Sequence, residues 1–191
     1  MEDTIPDEYR RRCSDNAFRA FGTAYIFERR TRKQRWCLRA LAFLGIAVPA
    51  ALGAIIATIG AESAYVGLTI TIAGILGIIQ LILSIWSLVS KWEDNFAYYL
   101  ESKSANYRLA EDLHRLATTT TLERPAYEVE LRAADTEGDM RANLDEKLDI
   151  TDKEKALGMR AALRKFQRKC ATCGKMPTTL EPTSCNTCGN F

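Results

Sequence analysis

The amino-acid sequence predicts an all-α membrane protein: a two-helix transmembrane hairpin that carries cytosolic helices and a small C-terminal zinc knuckle or ribbon with four cysteines. Two uncharged stretches, residues 40–61 and 63–90, predict the hairpin, because a helix crosses a bilayer core with about 20 apolar residues. The charged segments on both sides have the apolar periodicity of helices. Two CxxC pairs near the C-terminus predict the metal site.

These features divide the chain of 191 residues into four predicted segments. They are an N-terminal cytosolic basic helical segment at 1–39, the transmembrane hairpin at 40–90 with spans near 40–60 and 64–89, cytosolic helices at 91–169, and the zinc-binding module at 170–191. A soluble helical hairpin is the alternative to the membrane interpretation. It would need other apolar helices to cover it, and the rest of the chain is too highly charged to supply them.

Basic residues flank the predicted hairpin at both ends and are missing from its turn. Six arginines and lysines lie between Arg29 and Arg39, and others follow from Lys91 onward, whereas the turn at Gly60–Ser63 has none. Because cytoplasmic flanks carry the excess of Lys and Arg, we predict a multi-pass protein with both termini cytoplasmic. Binding of anionic lipid is a second interpretation of the basic run. The segment before the first span either lies along the membrane surface or packs on the helix that follows the second span.

Small residues recur every four positions in the first predicted span. They are Gly45, Pro49, Gly53, Ala57 and Ala61. Such a stripe lets another helix approach closely. It packs the two spans of one chain against each other, or it joins neighbouring chains in a homo-oligomer. We expect Pro49 to kink the span, because proline removes a backbone hydrogen bond from the helix interior.

Three polar residues share one face of the second predicted span. They are Gln80, Ser84 and Ser87, at positions i, i+4 and i+7. They line a narrow pore in an oligomer, or they form a hydrogen-bonding seam between helices. Neither span contains Asp, Glu, Lys or Arg, which argues against a proton relay or an ion-coupled transporter.

The region after the hairpin predicts three cytosolic helices. Apolar residues continue at a spacing of about 3.5 beyond Trp92, which predicts that the second span runs on as one uninterrupted helix until Thr118. Pro125 begins the next helix. Thr151 and Glu154 form a capping-box pattern that predicts the start of a third.

The C-terminal tail contains the pattern Cys-x-x-Cys-Gly twice, with eleven residues between the pairs. The four cysteines are Cys170, Cys173, Cys185 and Cys188. The two-residue gap lets both thiolates of a pair reach one ion, so two such knuckles complete a tetrahedral four-thiolate Zn²⁺ site with no open position for a reacting water. The sequence also lacks a nucleophile–base pair, so we predict that the protein is not an enzyme. The zinc is interpreted as structural, with docking of a partner protein as the alternative; nucleic acid is disfavoured because aromatic platforms for bases are missing.

Taken together, these features resemble the SLATT superfamily of bacterial conflict systems, whose two-transmembrane effectors accompany nucleotide second-messenger synthases and sensor proteins. The resemblance covers residues 5–165 and lies in the helical N-terminal segment, the tight hairpin and the long helix that follows it. The CxxC-x11-CxxC spacing is similar to that of the mobilome CxxCx(11)CxxC protein type, a family known mainly from mobile genetic elements. The SLATT resemblance implies an effector that stays inactive until infection and then breaches the bacterial inner membrane.

The predicted function is therefore that of a membrane effector in antiphage defence, which oligomerises into a pore or disrupts the inner membrane when triggered. The alternative is a membrane-anchored scaffold that recruits a cytosolic partner through the zinc module. The predicted partners are the lipid bilayer, further copies of the chain, and a cytosolic sensor or nucleotide second messenger as trigger.

Overall fold

The computed structural model describes residues 5–59 and 64–191, and within these ranges every regular element is a helix. The five helices are α1 Asp7–Ile59, α2 Ala64–Val89, α3 Trp92–Thr118, α4 Arg124–Asp145 and α5 Asp152–Lys165. The all-α prediction is confirmed. The predicted turn at 60–63 lies outside the described residues.

The helices form two compact units. Unit 1 contains Met1–Arg29 and Tyr99–Phe191, and unit 2 contains Arg30–Tyr98. Both α1 and α3 contribute residues to each unit. The segment boundaries at 39/40 and 90/91 stay predictions, because they refer to a bilayer surface rather than to contacts within the chain.

The connection between α2 and α3 contradicts one prediction. The helix that was expected to run uninterrupted past Trp92 breaks at Ser90 and Lys91, where Lys91 adopts a φ of 50°. Its N–H bonds the Leu88 carbonyl three residues back, at 3.1 Å, instead of continuing the α-helical pattern. The Asn95 side-chain amide donates to the Ser90 carbonyl at 3.0 Å and satisfies a group that the broken helix leaves open.

The core of unit 1 lies between the first turns of α1, the later turns of α3, and α4. Cys13 and Tyr127 are fully buried at its centre, with the sulfur and the phenol oxygen 3.3 Å apart. Leu109, Leu113 and Leu131 belong to the same cluster. Of the two placements open to the N-terminal segment, the structure therefore supports packing on the helix that follows the second span. Burial of each large apolar side chain stabilises the unit by about 1.5–3 kcal/mol.

A buried carboxylate joins the end of α4 to α3. Asp145 is 4% exposed and accepts hydrogen bonds from Ser102 Oγ at 2.7 Å and from Asn106 Nδ2 at 3.0 Å. A carboxylate removed from water requires such donors. The network therefore fixes the register between α3 and α4.

Helix α5 begins at the predicted capping box and crosses α1 closely. The Glu154 N–H donates to Thr151 Oγ1 at 3.3 Å, and the Thr151 N–H donates to Glu154 Oε2 at 3.0 Å. At the crossing, a β-carbon added to Gly158 would lie 2.7 Å from the Gly22 carbonyl oxygen and 3.0 Å from Ile26. Only a residue without a side chain permits this approach.

Unit 2 contains an apolar helix pair. Its residues include parts of two helices, Asp7–Ile55 and Gly67–Val89, that are long and apolar enough to cross a membrane by length and composition. None of the residues in their most apolar windows is buried. The pair meets where a β-carbon on Gly45 would lie 2.8 Å from Gln80 Nε2.

We predict that Gly158→Ala lowers the free energy of unfolding by about 1–3 kcal/mol, because the added methyl group overpacks the α1–α5 crossing. Chemical denaturation of the purified protein measures the change. Gly138→Ala is the matched control: its methyl group meets Leu109 at an ordinary 3.6 Å, and alanine favours the helix. Equal effects of the two substitutions would contradict the close crossing.

Candidate metal centre

Two turns of similar geometry form the C-terminal tail. In the first, the Gly174 N–H donates to the Cys170 carbonyl at 2.8 Å; in the second, the Gly189 N–H donates to the Cys185 carbonyl at 2.8 Å. Gly174 has a φ of +69°, which favours glycine. The Cys-x-x-Cys-Gly sequence therefore folds locally into two knuckles, each of which presents two thiols.

The two knuckles bring all four predicted thiols together. The sulfur atoms of Cys170, Cys173, Cys185 and Cys188 lie within 4.8 Å of one another. Two contacts between the knuckles are shorter: 4.0 Å from Cys170 to Cys185, and 3.9 Å from Cys173 to Cys188. Four sulfurs bound tetrahedrally to one ion at about 2.3 Å stand about 3.8 Å apart. The four cysteines are free of disulfides, and their geometry fits one metal ion.

The local environment shifts the pKa values of three of these thiols in different directions. Backbone N–H groups of the second knuckle, led by that of Cys188, lower the pKa of Cys185 to about 7. Burial by itself raises the pKa of Cys170, but donation from backbone N–H groups, led by that of Cys173, outweighs it and lowers the pKa. Burial raises the pKa of Cys188 to about 12, and its hydrogen bonds to the other thiols act in the same direction. A bound cation would favour the thiolate form at every position.

The knuckles pack on the helices of unit 1 through an apolar contact. Cys170 and Cys188 are buried with Leu163 of α5, and Phe18 of α1 packs against the same cluster. Arg168 strengthens this contact. Its guanidinium lies 5.3 Å above the Phe18 ring and also donates hydrogen bonds to polar side chains of α1. The tail is therefore anchored to both α1 and α5.

Arg160 connects α5 to the loop between the two knuckles and to the second knuckle. Its side chain is 6% exposed; Nε donates to the Thr179 carbonyl at 2.8 Å, and Nη1 donates to the Cys188 carbonyl at 3.3 Å. The sequence analysis missed this residue. The sequence did contain a signal for it. Arg160 falls on the apolar face of α5 with Leu157 and Ala161, and an arginine on that face is expected to be buried.

The other predicted site residues are spread over unit 2. Gly45 and Gln80 lie together, Ser87 is buried, and Ser84 is half-buried. Pro49, Gly53 and Ala57 are exposed. The structure thus places part of the small-residue stripe at the helix pair and part on its outer surface; Ala61 lies outside the described residues.

The fold and the metal centre define an all-helical protein with two apolar helices of membrane-spanning length and a C-terminal four-cysteine cluster that can hold a metal ion. The family model described as "Mobilome CxxCx(11)CxxC protein" matches residues 10–191, nearly the whole chain, and the protein belongs to this family. Neither a curated protein nor a solved structure matches the chain significantly.

We predict that Cys173→Ser weakens metal binding on the order of 100-fold, because a structural site of about 10–16 kcal/mol shares that free energy among four ligands. Elemental analysis of purified protein, together with competition against a chelator, measures the loss. Cys37→Ser is the matched control, since this cysteine lies outside the cluster. Equal metal content in the two variants would contradict the assignment.

Arg160→Met should lower the free energy of unfolding by about 1.5–3 kcal/mol, because two carbonyl groups lose a charged donor. We also expect the variant to release its metal to a chelator faster than the parent protein. Arg164→Met on the same helix is the control, because that side chain is exposed. Equally fast metal release from both variants would show that the hydrogen bonds of Arg160 to the tail do not help to retain the metal.

Proposed function

We propose that this protein is a zinc-containing effector of a bacterial conflict system that inserts its apolar helix pair into the inner membrane, oligomerises, and permeabilises that membrane when triggered. The observation that carries the proposal is the uncovered apolar surface of unit 2. The large side chains of α2 from Leu68 to Val89 are 39–78% exposed wherever they are Leu, Ile, Val or Trp. A soluble monomer rarely exposes an apolar patch of more than a few hundred Å².

Two ordinary explanations of such helices fit less well. The core helix of a soluble protein is mostly buried, whereas none of the residues in these apolar windows is. A secretory signal has an apolar region of only about 7–15 residues, and the uncharged stretch in α1 is longer and follows a long charged segment. Insertion into a bilayer covers the same surface with acyl chains. The basic flanks of the pair then favour a multi-pass topology with both termini in the cytoplasm.

Zinc is the ion that best suits the four-cysteine cluster. A closed shell of four thiolates is the usual donor set of structural zinc, and soft sulfur ligands disfavour Mg²⁺ and Ca²⁺. The ion supplies folding free energy to the tail. Arg160 and Arg168 then hold the metal-bound knuckles against α5 and α1.

The effector role is supported by the family and by the outer surface of the helix pair. A mobilome family is a natural setting for conflict between mobile elements and their hosts. The resemblance to SLATT effectors, in the helical N-terminal segment, the hairpin and the helix that follows it, points to the same role. Gly53 is exposed, with nothing within 4 Å of a β-carbon added there. We propose that Pro49, Gly53 and Ala57 meet another subunit in the membrane, and that the polar residues of α2 become water-accessible in the assembled lesion.

A cavity in unit 1 bears on the proposed trigger. It has a volume of about 700 Å³. Its charged lining residues are Asp135, Asp139, Asp145, Glu146 and Asp149 against Arg12, Arg19 and Lys155. Carboxylates outnumber cations there, so an anionic nucleotide would be repelled. If a nucleotide second messenger is the trigger, we expect it to act through a sensor protein rather than in this cavity.

The second candidate is a membrane-anchored scaffold. It is favoured by the exposed outer surface of the knuckles, where Met176 is 44% exposed and the hydroxyls of Thr172 and Thr187 lie 2.7 Å apart. Such a surface offers both apolar and hydrogen-bonding groups to a cytosolic partner.

We predict that expression of the protein in bacteria, during phage infection or at high level, depolarises the inner membrane, as measured with a potential-sensitive dye. Gly53→Leu should abolish depolarisation, because the larger side chain keeps neighbouring helices apart. Gly74→Leu is the matched control, because this exposed α2 glycine also has nothing near a β-carbon.

Three results would overturn the proposal. An unchanged membrane potential under both conditions would exclude permeabilisation, and a scaffold that tolerates Gly53→Leu but loses its partner with Cys170→Ser would replace it. Release of the protein from membranes by alkaline carbonate would exclude insertion of the helix pair altogether.

A further inference from the structure

Helix α4 carries a row of uncharged side chains on its outer face. The row is here named the α4 seam. Its residues are Ala126, Val129, Ala133, Thr136, Met140 and Asn143. All of them are exposed, and the two largest apolar ones, Val129 and Met140, are 69% and 54% exposed. Nine of the 22 residues of α4 are charged, but none of these belongs to the α4 seam. The seam is therefore an uncharged stripe on a highly charged helix.

The α4 seam lies opposite the face by which α4 packs into unit 1. Tyr127 and Leu131 belong to the core of that unit, and the Asp145 carboxylate accepts a hydrogen bond from α3. In a helix with about 3.6 residues per turn, these positions and the seam are centred about half a turn apart. The packing of α4 within its own unit therefore leaves the seam uncovered.

The spacing and the polar groups of the α4 seam suit a second copy of the same helix. Its residues follow one another at alternating intervals of three and four, which are the a and d positions of a heptad repeat that pairs two helices along their length. Thr136 can be buried in such a pair, because its hydroxyl already donates to the Arg132 carbonyl at 2.8 Å. Asn143 can pair with an identical asparagine, because its amide both donates and accepts hydrogen bonds.

The charged residues beside the α4 seam favour a parallel pair. In a parallel heptad pair, a g position faces the following e position of the partner helix, so Arg132 meets Glu137 of the second copy. An antiparallel pair lets Arg132 meet Asp139 of the second copy, but it also places Glu130 opposite Glu137. The repulsion between these two carboxylates offsets the attraction. Only the parallel direction gives attraction without repulsion.

Arg132 is available for this contact. It is exposed and forms no ion pair within the part of the chain that the structure describes. Its nearest carboxylates on α4 are bound by other arginines, Glu128 at 3.1 Å and Asp135 at 2.8 Å. Glu137 binds an arginine of α3, but its side chain is still 31% exposed, and a carboxylate can accept from two guanidinium groups. The contact between copies can therefore form without breaking an ion pair inside either one.

We propose that the α4 seam is the surface through which two copies of this chain pair in parallel outside the membrane. The inference rests on the proposed function, because it names a contact by which copies that assemble in one membrane are held together. The seam extends over only about 26 Å, at about 1.5 Å per residue. Confinement of the copies to one membrane raises their effective concentration and so favours a contact of this size.

Cross-linking in the membranes of bacteria that express the full-length protein tests the proposal. A parallel pair brings the thiols of Val129→Cys face to face, so a bismaleimide with a short spacer should join two copies through residue 129, as read by mass spectrometry of the linked peptides. Ala142→Cys is the matched control, because this exposed residue of α4 lies off the seam. It should yield about tenfold less linked dimer, since its thiols point away from each other in the pair. Both variants also carry Cys37→Ser, which removes a thiol outside the metal cluster.

A second substitution tests the seam itself. Ala133→Lys should lower the yield of the residue 129 cross-link about tenfold, because it places two ammonium groups opposite each other in the pair. Ala142→Lys makes the same change on the same helix off the seam, and it should leave the cross-link unchanged.

Equal dimer yields from Val129→Cys and Ala142→Cys would overturn the proposal, and so would a cross-link that survives Ala133→Lys. Linkage of residue 129 only to a different protein would overturn pairing between copies. A cross-link that forms only when Val129→Cys copies are mixed with Met140→Cys copies would overturn the parallel direction.

The membrane potential, measured with the same dye as above, separates this result from the fate of the proposed function. Depolarisation by a protein that gives no cross-link at residue 129 refutes the α4 pair alone. A cross-link at residue 129 without depolarisation supports the pair and refutes permeabilisation.

Discussion

The convergence of four sulfur atoms within 4.8 Å organises the C-terminal tail. Residues after α5 form no regular element and bury few apolar side chains of their own. In such a segment, metal binding supplies the free energy that a hydrophobic core supplies elsewhere. The folded tail then gives Arg160 two carbonyl acceptors and lets Arg168 reach α1. The contacts of the last two dozen residues with α1 and α5 therefore converge on one small cluster.

Local sequence patterns predicted the features that depend on near neighbours. The Cys-x-x-Cys-Gly repeats, the Thr151–Glu154 capping box and the apolar stretches each involve residues within a few positions of one another, and the structure contains all three. Contacts between distant parts of the chain were not predictable in this way. Gly22 meets Gly158 across 136 positions (158 minus 22), and either glycine alone resembles any other within a helix. The break at Ser90 was missed because no glycine or proline marks it, and the unusual backbone angle falls on Lys91.

The two units are stabilised in different ways. Unit 1 combines a small apolar core with ion pairs between helices, such as Arg12 with Asp135 at 2.8 Å and Arg108 with Glu137 at 3.0 Å. Exposed pairs of this kind contribute only about 0–1 kcal/mol each, so they specify which helix faces meet more than they stabilise them. Unit 2 keeps its apolar side chains outward. So much exposed apolar surface is unfavourable in water, and the proposed insertion into a bilayer would cover it with acyl chains.

The pair formed by Cys13 and Tyr127 gives the helical bundle of unit 1 an internal reporter. Both side chains are inaccessible to water, and burial raises the pKa of the Cys13 thiol, which reduces its nucleophilic thiolate. An alkylating reagent can therefore reach this sulfur only when α1 and α4 separate. The rate at which such a reagent modifies Cys13 in living cells would measure how often the bundle opens. No label would have to be built into the chain beforehand.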